Sequence, residues 1–445
     1  DRSARERPGG DIVVPTWLDF VIIGGKAIFI WGFALTLLPV LIWFERKGAA
    51  FIQDRAGPNR AAILGIRLAG FIHNIADVVK LLMKEMMIPP HVNRTYFMIA
   101  PVLGFTFILS AFAVIPWADT LRVGGRDISM QVADLNAGIL FILAITSLNV
   151  YGIVLAGWSS NNKFALMGGL RSTAQMISYE IPLGLALVGV FMVFGSAQLN
   201  EIVRGQGDLL FGFLPKWGIF VQPLGAILFI TAAFAETNRN PFDLPEGESE
   251  IVAGYHVEYS GMRFALFYMG EYVAIVLASA MIATLFFGGW QVPYFPTDKI
   301  IATADTWLKV MLGVGGVGAL AFAALMLFWA RRMKVGGGFG DLRDKEGIIL
   351  GVAHVAIGGA MLFFFWKTLS LEALPDWGAR TVAVVAQITA FALKTIFWCW
   401  VFIWVRWSLP RFRYDQLMRL GWKQMIPLSF VNIFLTGLVI LWMGR

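Results

Sequence analysis

The sequence predicts an all-α integral membrane protein with about ten transmembrane helices and one amphipathic helix on the cytoplasmic side, and three observations carry that prediction. Of 445 residues, 58% are hydrophobic and only 15% are charged, too few polar groups to clothe a soluble domain of this length. The apolar residues fall in runs of about twenty, the length a helix needs to cross about 30 Å of hydrocarbon. Basic residues alternate between successive loops: one set of loops holds 22 Lys and Arg, and the opposite set with both tails holds 11, counting Arg380 at the edge of a run. That asymmetry is the charge pattern of a polytopic chain.

The apolar runs lie at residues 18–44, 96–116, 136–157, 174–195, 217–236, 264–288, 308–330, 347–366, 380–405 and 425–443. Ten crossings place both termini on one side, and the positive-inside rule makes that side external or periplasmic. Arg2, Arg5 and Arg7 of the N-terminal tail are the dissenting element. The first run is long enough to serve as its own insertion signal. The net charge of +7 then reflects topology and lipid contact and not nucleic-acid binding. Four regions follow: an external tail (1–17), a membrane core (18–290) with cytoplasmic loops at 44–90 and 236–263, a helix pair (308–366), and two final helices (380–445) around a basic loop at 406–423.

Along the chain, the first cytoplasmic stretch, FERKGAAFIQDRAGPNR (44–60), interleaves acids with bases, which a plain headgroup anchor does not require. Residues 61–90 read as helical until Pro89 and Pro90. His73, Asp77, Lys80 and Lys84 recur at helical spacing on one face, and apolar residues cover the rest. Such a helix lies in the membrane interface or lines a cavity with its polar stripe. Glu180, in SYEIP, stands about 13 Å along its helix from Arg171, and Glu271 about 12 Å from Arg263. Between them, Glu236 ends the fifth run.

The stretch from Glu236 to Glu258 carries six carboxylates, Glu236, Asp243, Glu246, Glu248, Glu250 and Glu258, against a single Arg239, with Phe242, Tyr255 and Tyr259 among them. A solvated connector is the alternative, but carboxylates continue into the flanking apolar helices, where an ionised group costs several kcal/mol unless paired or hydrated. Glu180, Glu236 and Glu271, at similar depth on three helices, are expected to share a hydrated chamber suited to proton exchange. Lys394 sits about midway along the ninth run. GGGFG (336–340) lacks the GK[ST] ending of a phosphate loop and is given no nucleotide role. The single Cys399 and four histidines do not supply the ligands of an iron–sulfur or structural zinc site.

Three stretches, ERK with QDRAGPNR, ETNRNPFDLPEGESEIVAGYHVEYSGMRFALFYMGEY, and LPRFRYDQLMRLGWK, together resemble the H-type membrane subunits of bacterial NADH-quinone oxidoreductase, respiratory complex I, a family that includes mitochondrial NADH dehydrogenase subunit 1. The resemblance covers residues 18–290 and 380–443. It implies a membrane-arm subunit of a proton-translocating enzyme in the bacterial cytoplasmic membrane, at the junction with the redox arm and inactive alone. Quinone is the implied substrate. Iron–sulfur clusters, FMN and NADH would belong to other subunits, and this chain would hold no covalent cofactor.

On the same resemblance, Arg46, Arg55, Asp77, Lys80 and Phe242 border the quinone chamber. Glu236, Asp243, Glu246, Glu248 and Glu250 face it, and Glu180, Glu271 and Lys394 carry the proton-coupling signal toward antiporter-like subunits. The implied partners are peripheral-arm subunits near the last iron–sulfur cluster, small and antiporter-like membrane subunits, and lipid. His73 and Asn74 stand where the family commonly has Gln-Pro, and 308–366 reads as a pair added to a family core of eight spans, expected at the periphery. Two other readings are the related membrane subunit of an energy-converting hydrogenase and a secondary ion-coupled transporter.

Overall fold

The computed structural model describes residues 17–123, 125–244, 252–335, 342–370 and 374–444. Among the described residues the regular structure is helical apart from two short antiparallel hairpins, Leu121–Val123 with Arg126–Ile128 and Leu209–Leu210 with Leu214–Pro215, and two isolated bridges. Its principal helices are α1 (Trp17–Ile52), α2 (Ile72–Met83), α3 (Arg94–Ala111), α4 (Gly138–Ser159), α5 (Lys163–Phe194), α6 (Pro223–Glu236), α7 (Gly261–Phe286), α8 (Ala304–Val335), α9 (Glu346–Leu369), α10 (Asp376–Ser408) and α11 (Ile426–Trp442). A short helix, Tyr414–Arg419, and a π-helical turn, Leu420–Met425, run directly into α11.

Among the described residues, nine helical segments are long and apolar enough to cross a membrane. The chain is therefore a multi-pass membrane protein. The tenth expected span, 217–236, is a broken helix. Gly218–Val221 forms one turn, Gln222 leaves helical geometry (φ −133°, ψ 59°), and Pro223 starts α6 at its first position. A residue before proline is driven from the helical region by the pyrrolidine ring. α6 alone has 14 residues, about 21 Å of rise, so it does not cross the bilayer by itself.

The amphipathic helix is likewise shorter than its apolar pattern. The chain from Ile63 to Ile66 closes a bridge, Leu68–Gly70 makes a 3-10 turn, and Lys84 is extended. Positive φ values at Leu64, Gly65, Leu68, Ala69 and Gly70 end any helix before Ile72. Within α2, Ile75, Val78, Val79 and Leu82 remain exposed.

α7 is the axis of the core. It packs against α1, α2, α3, α6 and α10, while α4 and α5 extend the bundle from α3, and α11 lies on α5. Of its most apolar window, 78% is buried, against 11% for each of α8 and α9. Those last two form a hairpin, packed chiefly on each other and on α10, with most of their apolar surface facing outward.

Candidate functional site

Three carboxylates converge where α4, α5, α6 and α7 meet. Glu236, the last residue of α6, lines a cavity of about 50 Å³ together with Thr146 and Asn149 of α4 and apolar side chains of α3, α5 and α7. It also lines a second cavity of about 30 Å³, shared with Asn149, Tyr255 and Glu271. One water needs about 10–15 Å³ measured this way and two to four polar partners, so either cavity has room for water, and the carboxylates, Thr146 and Asn149 supply the partners. Asn149 reaches this wall because Gly104 faces it: a Cβ there would lie 2.9 Å from Asn149 Oδ1.

Thr146 hydrogen-bonds Glu236, and Glu180 lies close enough for the two carboxylates to repel when both are ionised. Glu180 accepts from Ser147 Oγ. Among the described residues, neither Glu180 nor Glu236 has a cation within ion-pair distance.

Beside this acidic wall stands a node of opposite character centred on Glu45 of α1. Its carboxylate accepts from Tyr272 OH at 2.8 Å, from Arg239 Nη1 at 3.5 Å and from Arg406 Nη1 of α10. Arg239 is buried, and its guanidinium lies 4.3 Å from the centre of the Tyr272 ring. Burial opposes the charge on Arg239, but Tyr272, Glu45, Glu271 and Tyr268 outweigh it and raise its pKa, so the cation is held. Arg239 Nε and Nη2 make no hydrogen bond to described residues. One guanidinium thus links the node to Glu271 at the wall of the smaller cavity.

Sequence and packing together explain why Arg239 and Glu236 stay in place. Gln175 of α5 donates to Ala235 O, Asn238 Oδ1 and Phe242 O at 2.8–3.0 Å. Asn238, with φ 49°, donates to Ser172 Oγ, and Asn240 donates to the Arg406 and Leu409 carbonyls. The residues after α6 are therefore stitched to α5 and α10. Farther on, Tyr259 stacks on Phe97 at 4.0 Å and Tyr255 meets Phe267 edge-on, while Glu258 accepts from Asn162. The described parts of this connector, 237–244 and 252–260, are built into the bundle.

A third group lies at the surface. Arg46 and Lys80 both hold Asp77, the latter at 3.1 Å. Partial burial pushes the Asp77 carboxyl up, but the hydrogen bonds and charges of Arg46 and Lys80 prevail and hold it below its ordinary value. His73 Nε2 accepts from the backbone N–H of Arg60 and Ala61 at 3.0 and 3.1 Å, and Asn74 donates to Pro39 O. These two residues thereby tie α2 to the preceding loop and to α1.

A family model described as NADH dehydrogenase matches residues 25–336 and 346–437. The chain is 39% identical over 420 residues to an H-type NADH-quinone oxidoreductase subunit of Solibacter usitatus, covering 94% of this chain and 96% of the relative. It is 37% identical to the H-type subunit of Bdellovibrio bacteriovorus, covering 95% and 97%, and 40% identical to NADH-quinone oxidoreductase subunit 8 of Rhodothermus marinus, covering 90% and 91%. The chain belongs to the NADH dehydrogenase family.

In this NADH dehydrogenase family member, the residues expected at a site fall into separate places. Glu180, Glu236 and Glu271 share the acidic wall, and Arg46, Asp77 and Lys80 share the surface cluster. Arg55 is exposed and donates to Gln53. Phe242 is buried between Tyr179 and Phe412, with ring centroids at 5.4 Å from each. Asp243 pairs with Arg411 at 2.9 Å. Glu246, Glu248 and Glu250 lie outside the described residues. Lys394 is not brought to the acids. It donates to the Gly289 and Gln291 carbonyls, beyond the far end of α7, and lies 5.0 Å from the Trp217 ring.

Sequence reasoning missed Glu45, Tyr272 and Arg406 as partners, and Thr146, Asn149 and Ser147 as the polar wall. The acid interleaved with bases in FERK was the one visible signal for the first. Also missed was Glu346, whose carboxylate is met by Arg67.

Proposed function

We propose that this chain is the membrane-arm subunit of a proton-pumping NADH-quinone oxidoreductase, that its acidic wall begins the proton-coupling path, and that the groups around α1 and α2 border the quinone passage. The observation that carries the reading is the placement of Glu236 in the walls of two adjoining cavities, with Glu271 in one and Glu180 beside it. Glu180 and Glu236 have no cation within ion-pair distance among the described residues, and such carboxylates are expensive to keep in an apolar bundle; a second acid close by disfavours the ionised form further.

The relatives are named NADH-quinone oxidoreductases, and electrons in such an enzyme reach quinone from redox groups held by other subunits. This chain's residues then handle charge. Arg46, Lys80 and Asp77 present a paired cluster at the mouth. The Glu45 node holds Arg239 at fixed distance from Glu271. A change of charge near Arg239 alters how strongly Glu271 keeps its proton, and Glu236 and Glu180 extend that influence along the cavities through water, Thr146 and Asn149. The chain works in the bacterial cytoplasmic membrane with both termini outside, among peripheral-arm and antiporter-like subunits, and holds no redox centre.

Glu236→Gln tests the reading. In the assembled complex, proton translocation coupled to quinone reduction should fall at least about tenfold, the lower end of what removal of a proton-transferring group costs. Assembly and NADH oxidation by a soluble acceptor should persist. Undiminished pumping would reject the acidic-wall assignment.

A further inference from the structure

The helix pair α8–α9 faces outward over most of its surface, yet one of its residues reaches into the chain's interior. Glu346, the first residue of α9, is 7% exposed, and Arg67, 279 positions earlier, is 6% exposed. Arg67 Nε donates to Glu346 Oε2 at 2.8 Å, the Arg67 backbone N–H donates to Oε1 at 2.9 Å, and the Leu68 N–H shares that oxygen. One carboxylate thus holds a side chain and two consecutive backbone amides.

The backbone it holds is not one that would keep its shape alone. Leu68 and Ala69 have φ of 47° and 52°, a region that is strained for a non-glycine residue and persists only where surroundings impose it. Gly70 follows at φ 95°, and a Cβ there would fall 1.9 Å from Pro58 O. Trp43 Nε1 donates to Ala69 O at 3.1 Å. The turn therefore sits against both α1 and the 56–60 loop, and two residues later α2 begins, carrying His73, Asn74 and Asp77 into the contacts described above.

A buried ion pair adds little net stability over an apolar pair of similar volume, whereas it does fix geometry. We propose that Glu346 is a positioning residue for the quinone passage: through Arg67 and Leu68, the outer helix pair sets the turn that aims α2 and its Asp77 at Arg46. The inference rests on the proposed function, since it takes the α1–α2 cluster to border that passage.

The test uses the whole complex in membranes, with Glu346→Gln, Glu346→Asp and the double variant Arg67→Met/Glu346→Met. The double variant keeps the volume and removes both buried charges, so it leaves no unmatched ion where Glu346→Gln takes the carboxylate from Arg67; the cost is the acceptor of the Arg67 and Leu68 amides. Its KM for a short-chain quinone should rise about fivefold with kcat within about twofold, the signature of lost binding geometry and not of lost chemistry. NADH oxidation by a soluble acceptor should stay unchanged, and Glu346→Asp should recover part of the KM.

An unchanged quinone KM in the double variant overturns the proposal. Asp77→Asn separates the two failures. If it shifts the quinone KM while the Glu346 variants do not, only the positioning role falls. If it and Arg46→Gln also leave quinone kinetics intact, the assignment of the passage falls with it.

Discussion

Glu45 and Glu236 are both carboxylates at the inner rim of the same bundle, and their surroundings are nearly opposite. Glu45 is met by two guanidiniums and a phenol, whereas Glu236 faces a threonine hydroxyl, a second acid and cavity space. The first acid is matched by opposite charges on two sides. The second has no cation within ion-pair distance among the described residues. On the proposed function, the difference separates an acid that fixes structure from one that exchanges protons, a distinction that sequence alone, showing two glutamates near helix ends, does not make.

The strongest way to break this comparison is to neutralise the charge-matched acid. Glu45→Gln leaves Arg239 buried without its carboxylate, and Arg406 with it. Removing one partner of a buried pair costs about 3–5 kcal/mol, so the variant subunit should appear in membranes at much reduced level, or the complex should lose its quinone reactivity at a markedly lower temperature. A complex with the unaltered thermal profile would show that the node is not structural and that the contrast with Glu236 is false.

How much of this was visible in the sequence differs from one residue to the next. The long spans were legible because about twenty apolar residues in a row have few fates other than a membrane crossing. The break at Gln222 was also written, in the X-Pro step at Pro223, but apolar residues on both sides concealed it. The start of α2 was misplaced because periodicity runs through 61–71 while Gly65 and Gly70, with three neighbours, take left-handed conformations. Glu180 and Glu271 could be grouped by counting rise from Arg171 and Arg263, and Glu236 by its place at the end of the fifth run. Glu45 could not be paired with Arg406, 361 positions away, nor Arg67 with Glu346, because no local spacing encodes such contacts. Lys394 was placed at mid-span correctly in sequence, but its helix turns it toward the carbonyls after α7, a direction that periodicity does not give.

A smaller effect comes from Asp77, which has a cation on each side as Glu45 does but stands at the surface. Its folded-state carboxyl is held below the ordinary 3.8. The group therefore contributes stability above that value, and the contribution is lost as the pH falls through the lowered folded value. Exposed pairs of this kind contribute at most about 1 kcal/mol and are screened by salt. The unfolding midpoint of the complex should exceed that of Asp77→Asn slightly at neutral pH, with the gap narrowing at high salt and closing below pH 3.8. A gap that widened on acidification would have the wrong sign for a carboxylate stabilised by Arg46 and Lys80.

The smallest expected change is the most discriminating. Glu236→Gln keeps the shape of the side chain and its ability to accept from Thr146, and it strands no cation among the described residues. Replacing a carboxylate that lacks a counter-ion by a neutral amide removes a desolvation cost and at worst forfeits part of one hydrogen bond, a net of about 1 kcal/mol or less in either direction. The thermal profile of this variant complex should therefore overlay that of the parent, in contrast to Glu45→Gln, even as coupled proton translocation is lost. The same chemical change would then give opposite outcomes 191 positions apart along the chain. If instead Glu236→Gln destabilised the complex as severely as Glu45→Gln, a cation would have to hold Glu236 in the assembled enzyme, and the acid would belong to the architecture of the junction and not to its proton path.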